Sequence, residues 1–251
     1  MNLRKIKGKI INIGSIILTP FPTIKKCMNT KQTIEKIIKE NKSIIRFGDG
    51  EFRILLNKKA IEYQEYDENL RKELKKIVEG CETNNKYILA LPSSMFTKSI
   101  LWYLKNNKIY IDCFGAYRFY FRYCMSRKCV YGDAFCFSKG NEKLYSSLWK
   151  KSDIVIFVHN NEEYAKKFYN QYGIKTEYIQ IPSKNAYSQI ENIMANIKKK
   201  IKELPVECNY KVLISAGPAA KPIVYRLLED NIVAYDTGHC WDDPLTNPEG
   251  D

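Results

Sequence analysis

An acidic pair set between glycines is the first feature of this chain whose residue types could do chemistry. The mainly apolar residues 43–47 lead directly into Gly48, Asp49, Gly50 and Glu51. Residues two apart in an extended or turning backbone point to the same side, so Asp49 and Glu51 are expected to direct two carboxylates at one point. Such hard oxygen ligands suit Mg²⁺ or Mn²⁺, which keep coordination positions open for water and for substrate phosphate oxygens. The stretch therefore predicts a metal site for a diphosphate, and the alternative is a tight turn in which Asp49 caps the following helix.

A second group of polar residues follows the last predicted strand, residues 232–236. Asp236 ends this strand, and His239 and Asp242 come just after it. Together with Asp133, these residues are the candidates for a base that takes the proton of an attacking hydroxyl. The imidazole of His239 has an ordinary pKa of about 6.5 and could serve as base, metal ligand or phosphate contact. The alternative is a turn histidine bonded to a backbone carbonyl, and for the other histidine of the chain, at position 159, a structural role is favoured.

Alternating strands and helices must position these groups. The predicted strands cover residues 43–47, 87–91, 130–138, 153–159, 176–181, 211–215 and 232–236. Helices are expected between them, among them one over 30–40 with apolar residues at helical spacing, one capped by Asp67 and one over 95–106. This alternation predicts an α/β fold, a single Rossmann-like domain with a mainly parallel sheet flanked by helices. In such sheets ligands bind beyond the carboxyl ends of the strands, where both polar groups fall.

The chain is basic, with a net charge of +13 over 251 residues. Such an excess could serve a nucleic acid, an anionic membrane surface or a negatively charged substrate. Lysine dominates it and is spread along predicted helices such as 198–202, which favours solvated helix faces. The aromatic stretch 112–127 could stack nucleic-acid bases, but aromatic residues at this density more often build a core. We therefore expect no nucleic-acid partner.

The chain is expected to divide into a basic and apolar N-terminal segment (1–29), one domain (30–243) and a C-terminal tail (244–251). The N-terminal segment is too short and too broken by polar residues to span a bilayer, but it could rest on an anionic inner membrane leaflet or pack on the domain. The eight cysteines contain no Cys-x-x-Cys pair, which is typical of free thiols in a cytoplasmic protein. We therefore expect a cytoplasmic protein that could also contact the inner face of the membrane peripherally.

Five short motifs together resemble those of the bacterial GT-D type glycosyltransferases, a family first catalogued as a domain of unknown function. They lie at residues 46–52, 131–135, 182–186, 216–219 and 236–239. Four of them fall at the end of a predicted strand, and 131–135 lies within the strand predicted over 130–138. The resemblance implies a Rossmann-like domain distinct from the GT-A and GT-B folds. It also implies sugar transfer from a nucleotide sugar with the help of a divalent metal. One departure is Asp133, which stands where the family motif is expected to have Asn.

The resemblance assigns roles to particular residues. It places the Asp-x-Glu metal motif on Asp49 and Glu51, which would hold Mn²⁺ or Mg²⁺. The catalytic set expected from the sequence comprises Asp49, Glu51, Asp133, Asp236 and His239. The residues expected to bind the donor are Arg46, Gly48, Gly50, Lys184, Asn185, Gly217 and Pro218.

The function expected from these observations is metal-dependent transfer of a hexose from a nucleotide sugar, with UDP as the favoured nucleotide. A glycan, a lipid-linked sugar or a glycoprotein would be the acceptor, in the synthesis of surface polysaccharide or glycoprotein. Two alternatives stay open at this point. One is a basic module that binds RNA or another polyanion, and the other is a metal-dependent phosphoryl transferase or hydrolase using the same carboxylates.

Overall fold

Seven parallel strands form one sheet in the order β3-β2-β1-β7-β6-β4-β5 in the computed structural model. The structure describes residues 26–92, 98–99, 101–102, 105 and 111–244, with only the backbone of 111–116. The strands are β1 Ser43–Arg46, β2 Tyr87–Leu91, β3 Gly132–Asp133, β4 Ile154–His159, β5 Lys175–Gln180, β6 Tyr210–Ile214 and β7 Ala234–Asp236. This confirms the predicted α/β domain with a parallel sheet. Most of the expected helix over 95–106, and most of the segments 1–29 and 244–251, lie outside the described residues.

Helices cover both faces of the sheet. They are α1 Thr30–Glu40, α2 Asp49–Asn57, α3 Glu68–Gly80, α4 Ile111–Tyr123, α5 Glu142–Tyr145, α6 Glu163–Tyr172, α7 Ile190–Lys202 and α8 Ala220–Leu227. The predicted cap is confirmed, since the Asp67 carboxylate accepts the N–H groups of Asn69 (2.7 Å) and Leu70 (3.0 Å). Among the described residues, none of the helices combines the length and apolar character that a membrane span requires.

The strand predicted over 130–138 is wrong beyond its first residues, because only Gly132 and Asp133 pair with β2. The carboxylate of Asp133 accepts the N–H of Phe135 at 2.9 Å, so the chain turns away from the sheet. Gly132 is required for the pairing itself, since a Cβ there would lie 2.7 Å from Ile88 Cγ2.

The core consists of two apolar layers, one on each face of the sheet, because neighbouring residues of a strand point to opposite faces. Ile45 and Leu89 belong to one layer, whereas Ile44 and Ile88 belong to the other. The aromatic stretch contributes Tyr117 to the first layer, where its ring stacks on Phe52 with centroids 5.0 Å apart. Phe121 is buried as well, whereas Phe119 and Tyr123 are exposed, so only part of the stretch builds the core.

The expectation of free thiols throughout is wrong, because Cys81 and Cys129 form a disulfide. Cys81 follows α3 and Cys129 precedes β3, so the two residues are 48 positions apart in the sequence. The pairing of β2 with β3 brings these two segments together, a juxtaposition that cysteine spacing alone does not reveal.

Candidate active site

A cleft of about 390 Å³ lies at the carboxyl edge of the sheet. Every strand sends the residues that follow its end into the cleft wall. Each strand contributes at least one such residue; in the order β1 to β7 they are Gly48, Pro92, Ala134, Asn160, Pro182, Ala216 and Gly238. The cleft centres on the neighbouring strands β1, β7 and β6, where the chain returns to the middle of the sheet. This is the position at which open parallel sheets bind their ligands.

A buried cation forms the floor of this cleft. The ammonium of Lys221, in the first turn of α8, lies 3.0 Å from Glu51 Oε1 and 3.2 Å from Asp236 Oδ2. It also donates to the carbonyl of Gly217 at 3.0 Å. Three acceptors thus match the three N–H groups of the ammonium. The cluster joins the start of α2, the end of β7 and the turn after β6, and sequence reasoning did not find its central residue.

The electrostatics of the cluster favour the charged form of both partners. Burial by itself would raise the pKa of Glu51, but the Lys221 ammonium and the Gly48 N–H (2.7 Å from Oε2) outweigh it and hold that pKa below its ordinary value. Burial would likewise lower the pKa of Lys221, but Asp236 and Glu51 outweigh it and raise that pKa. The second carboxylate oxygen of Asp236, Oδ1, is buried and has no hydrogen-bond partner among the described residues.

The two carboxylates of the acidic pair point in different directions. Asp49 and Glu51 both lie in the first turn of α2, and residues two apart on a helix are about 200° apart around its axis. Glu51 turns inward to Lys221, whereas Asp49 stays half-exposed in the cleft wall, 3.2 Å from Arg53 Nη2. The expectation of an extended or turning backbone with both groups aimed at one point is therefore wrong.

The fit of a divalent metal differs between these two residues. Both oxygens of Glu51 already have partners, in Lys221 and in the Gly48 N–H, so Glu51 does not fit a metal in this arrangement. Asp49 fits, because its carboxylate lines the cleft and a surface arginine is its ion-pair partner. The described residues contain no group of three or more Asp, Glu, His or Cys side chains placed to hold a metal. A metal here would depend on one carboxylate together with substrate phosphates and water, as Mg²⁺ sites often do.

Arg46 supports the cleft from the end of β1. Its backbone N–H donates to Asp236 Oδ2 at 3.0 Å, and its guanidinium Nε donates to the carbonyl of Ala134 at 2.7 Å. Gly238 packs directly on this guanidinium, because a Cβ at that position would lie 2.5 Å from Arg46 Nη1. The backbone of Gly238 is left-handed, with φ of +52°, which also favours glycine.

His239 and Asp242 bring a further polar pair to the cleft. His239 Nδ1 lies 3.3 and 3.4 Å from the two carboxylate oxygens of Asp242, and both residues line the cleft. The hydrogen bond to Asp242 raises the pKa of His239, although burial opposes the shift. The other histidine, His159, is buried, and its Nδ1 accepts the N–H of Asn161 at 3.0 Å. His159 also lines the cleft, so the structural role favoured for it stays a prediction.

Several other residues predicted for the site lie elsewhere. Asp133 is buried away from the cleft, where it accepts the Thr30 hydroxyl at 2.6 Å, and burial raises the pKa of its carboxyl group. Lys184 is exposed outside the cleft wall. Asn185 is also outside it, where its side-chain oxygen accepts the Glu65 N–H at 2.7 Å and its own N–H donates to the Tyr63 carbonyl at 2.8 Å.

The remaining predicted residues are gathered at the cleft. Gly48, Gly50, Gly217 and Pro218 all line it. Gly217, with φ of +54°, turns the chain after β6 so that its carbonyl meets Lys221. A lone lysine in the otherwise apolar start of α8, directly after the Gly-Pro turn, was the sequence signal that could have identified this residue.

The comparisons with known proteins agree with the fold described above. The sequence matches the family model described as "Glycosyltransferase GT-D fold" over residues 44–243. It is 25% identical over 232 residues to a probable glycosyl transferase, Gly, of Streptococcus gordonii, covering 84% of this chain and 31% of the relative. It is 25% identical over 221 residues to the glycosyltransferase GlyD of Streptococcus pneumoniae serotype 4, covering 83% of this chain and 26% of that protein. The chain thus spans a third or less of the length of these curated relatives.

Solved structures share the fold. A domain of unknown function 1792, described as having a distinct glycosyltransferase fold, superimposes with a TM-score of 0.71 at 23% identity, covering 92% of this chain and 83% of the other. A glycosyltransferase of the same domain type from Streptococcus sanguinis gives a TM-score of 0.70 at 24% identity, covering 86% and 82%. The family match covers most of the chain and includes the cleft residues described above. The chain therefore belongs to the GT-D glycosyltransferase family.

Proposed function

We propose that the cleft transfers a hexose from a nucleotide sugar, with Mn²⁺ or Mg²⁺ held beside the donor diphosphate by Asp49. The observation that carries this proposal is the position of Asp49. Its carboxylate stands in the wall of a strand-end cleft, while its neighbour Glu51 is held by an internal lysine. UDP is the nucleotide we favour, and a glycan, lipid-linked sugar or glycoprotein is the acceptor class.

The bound cation would act as a Lewis acid that relieves the negative charge growing on the departing diphosphate. The residues of the chain itself would fix the surroundings of that charge. Lys221 and Arg46 are held between Glu51, Asp236 and the carbonyl of Ala134, so they need not rearrange when the donor binds. Fixed charges and dipoles of this kind stabilise a transition state without reorganisation.

The same contacts assign different roles to the two acidic residues of the Asp-x-Glu motif. Glu51 is a positioning residue that ties the start of α2 to Lys221 and to the Gly48 N–H. Asp49 is the residue that meets the metal. Lys184, which the sequence suggested as an added charge for the diphosphate, is exposed outside the cleft wall and is not part of the proposal.

A thermal-shift screen of nucleotides and nucleotide sugars, with and without Mn²⁺, tests the proposal. A ligand that binds only the folded state at about 100 times its Kd adds about 2.7 kcal/mol of stability. We expect UDP or a UDP-hexose to raise Tm in a Mn²⁺-dependent manner, and a UDP-hexose to be cleaved to UDP. Asp49→Ala should abolish the Mn²⁺-dependent part of the shift and lower the rate of UDP release by about 100-fold or more, which corresponds to about 2.7 kcal/mol.

Asp230→Ala is a matched control. The side chain of Asp230 is 43% exposed and pairs with Lys198 at 2.7 Å, whereas that of Asp49 is 40% exposed and pairs with Arg53 at 3.2 Å. Both variants lose one half-exposed ion pair, but only one alters the cleft. Metal-dependent turnover that survives Asp49→Ala to the same extent as Asp230→Ala would contradict the proposal.

A further inference from the structure

A histidine and an aspartate form a pair at the mouth of the cleft that the proposed metal site leaves unused. His239 Nδ1 lies 3.3 and 3.4 Å from the carboxylate oxygens of Asp242, three residues further along the same turn. The side chains are 38% and 34% exposed, so both reach solvent as well as the cleft. An imidazole that donates Nδ1–H to a carboxylate presents Nε2 as a proton acceptor.

The turn that carries this pair is fixed at several points. Gly238 packs against the Arg46 guanidinium, and the Cys240 N–H donates to the Thr237 carbonyl at 3.1 Å. The indole of Trp241 donates to Thr237 Oγ1 at 3.1 Å, and its ring packs on the buried Phe157 with centroids 5.3 Å apart. The backbone on both sides of His239 is therefore held, so its imidazole starts from a defined position.

A second element holds the imidazole ring itself. The Tyr63 ring, from the loop between α2 and α3, lies 5.4 Å from the His239 ring, centroid to centroid. The Tyr63 loop is anchored in turn by Asn185, whose N–H donates to the Tyr63 carbonyl at 2.8 Å. Asn185, predicted as a donor-binding residue, thus acts on the cleft through Tyr63.

The other carboxylates near the cleft are less suited to accept a proton from a substrate hydroxyl. Glu51 and Asp236 are buried on Lys221, and Asp133 lies outside the cleft with both of its carboxylate oxygens hydrogen-bonded. Asp49 carries the proposed metal, and Glu62, which also lines the cleft, is exposed on the loop that carries Tyr63. His239 remains as a cleft residue with a proton-accepting atom and a partner that orients it.

We propose that His239 is the general base of the transfer reaction and that Asp242 is the positioning residue that orients it; this rests on the proposed glycosyl transfer. The acceptor hydroxyl gives its proton to Nε2 of His239 while its oxygen forms a bond to the anomeric carbon. The bond from that carbon to the nucleoside diphosphate breaks, and the electron pair leaves with the diphosphate oxygen. A single displacement of this kind inverts the anomeric configuration.

The charged and titratable groups facing His239 set the pH dependence. Asp242 lies on its own turn, Tyr63 on the loop after α2, Lys221 on α8, Arg46 at the end of β1 and His159 at the end of β4. The hydrogen bond that Nδ1–H of His239 donates to Asp242 raises the pKa of His239 above 6.5, against burial and the positive charges of Lys221 and Arg46. A base must be neutral to work, so activity should rise with pH through that raised pKa.

Imidazole titration by NMR on the full chain tests the pair directly, because the chain has only two histidines. The variant His239→Gln assigns the two resonances. We expect the pKa of one imidazole to lie above 6.5 and to fall in Asp242→Asn, while the pKa of His159, which burial holds below 6.5, stays below that value. An imidazole of His239 that titrates at or below 6.5 and ignores Asp242→Asn would overturn the pairing.

Turnover tests the base, with UDP-glucose and UDP-galactose as donors, Mn²⁺ present and water or methyl glucoside as acceptor. Loss of a general base typically costs about 10²- to 10⁴-fold, so His239→Gln should lower kcat by that factor while the Kd for UDP stays within about twofold. Asp242→Asn should lower kcat by about 10- to 100-fold and move the rise in activity to lower pH. Asp230→Asn makes the same chemical change at a surface carboxylate outside the cleft and should retain both the rate and the pH profile.

Two outcomes would overturn the assignment: His239→Gln releasing UDP at more than half the unmodified rate, or a product that retains the donor's anomeric configuration. A different result separates this inference from the function on which it rests. If the unmodified chain binds and cleaves none of the donors, the proposed function is wrong, and so is the assignment of His239 as its base. The imidazole titration would still show whether His239 is paired with Asp242.

Discussion

Replacing Lys221 by methionine removes the cation that neutralises two buried carboxylates. The Lys221 side chain is 7% exposed, and its ammonium contacts Glu51 Oε1 at 3.0 Å, Asp236 Oδ2 at 3.2 Å and the Gly217 carbonyl at 3.0 Å. Methionine fills similar space but leaves both carboxylates without their counter-charge. Removing one partner of a buried ion pair typically costs about 3–5 kcal/mol. We expect the free energy of unfolding of Lys221→Met to fall by that amount near neutral pH.

The loss should depend on pH in a defined direction. In the unmodified chain the folded-state pKa of Glu51 lies below its ordinary value, so this group contributes stability above its unfolded pKa of about 4.3 and loses it as the pH falls through the folded value. In Lys221→Met, burial dominates and should raise that pKa above the unfolded value. The variant then loses stability as the pH rises through its raised pKa. The difference between the two proteins should therefore widen from about pH 4 to pH 8.

Urea denaturation of both proteins across this pH range measures the effect, with the transition midpoint and slope recorded separately. The triple variant Lys221→Met, Glu51→Gln, Asp236→Asn is the control, because it removes the three charges together and keeps acceptors for the N–H groups of Gly48 and Arg46. The triple variant should lose less stability than Lys221→Met, because it leaves no buried charge without a partner. A loss below about 1 kcal/mol, or one that does not change with pH, would refute our description of the cluster.

Two further predictions concern stability. Gly238→Ala combines a left-handed backbone (φ +52°) with a Cβ 2.5 Å from Arg46 Nη1, so it should destabilise the fold by more than the roughly 1–2 kcal/mol of backbone strain alone. The matched control is Gly173→Ala, where φ is +68° and nothing lies within 4 Å of the added Cβ. Equal losses of stability in thermal unfolding would contradict the packing of Gly238 on Arg46. Cys81→Ser removes a disulfide that joins residues 48 apart, and the loop-closure entropy of such a link corresponds to a loss of stability of about 4 kcal/mol. Reduction of the unmodified chain should lower its stability by a similar amount. A thiol count in denaturant that does not rise on reduction would show that the disulfide is absent.

The architecture was predictable because local signals and the global fold agree. Ile34 and Ile37 mark the buried face of α1, and Asp67 marks the start of α3, so both helices were located to within a residue or two. The strand alternation predicted a parallel sheet. That topology in turn placed the motifs after β1, β6 and β7 at one edge, where the cleft is found.

The contacts between side chains within the site were harder to predict from the sequence, because they depend on how the helices and strands pack together. Whether Asp49 and Glu51 point together or apart depends on where α2 begins, and a helix that begins at Asp49 separates them. Lys221 was missed because only the packing of α8 against the strand ends brings its ammonium to Glu51. Asp133 was predicted for the cleft from its motif, but its hydrogen bond to Thr30 of α1 turns it away.

The position of the cation relative to Asp49 is the central claim, and a crystal of the full chain soaked with Mn²⁺ and UDP would test it most directly. Anomalous scattering locates manganese independently of any assumption about its ligands. We predict a single strong peak bonded to the carboxylate of Asp49 and to the UDP diphosphate, with Lys221 still paired with Glu51. Manganese bound away from Asp49, or UDP outside the strand-end cleft, would contradict the account.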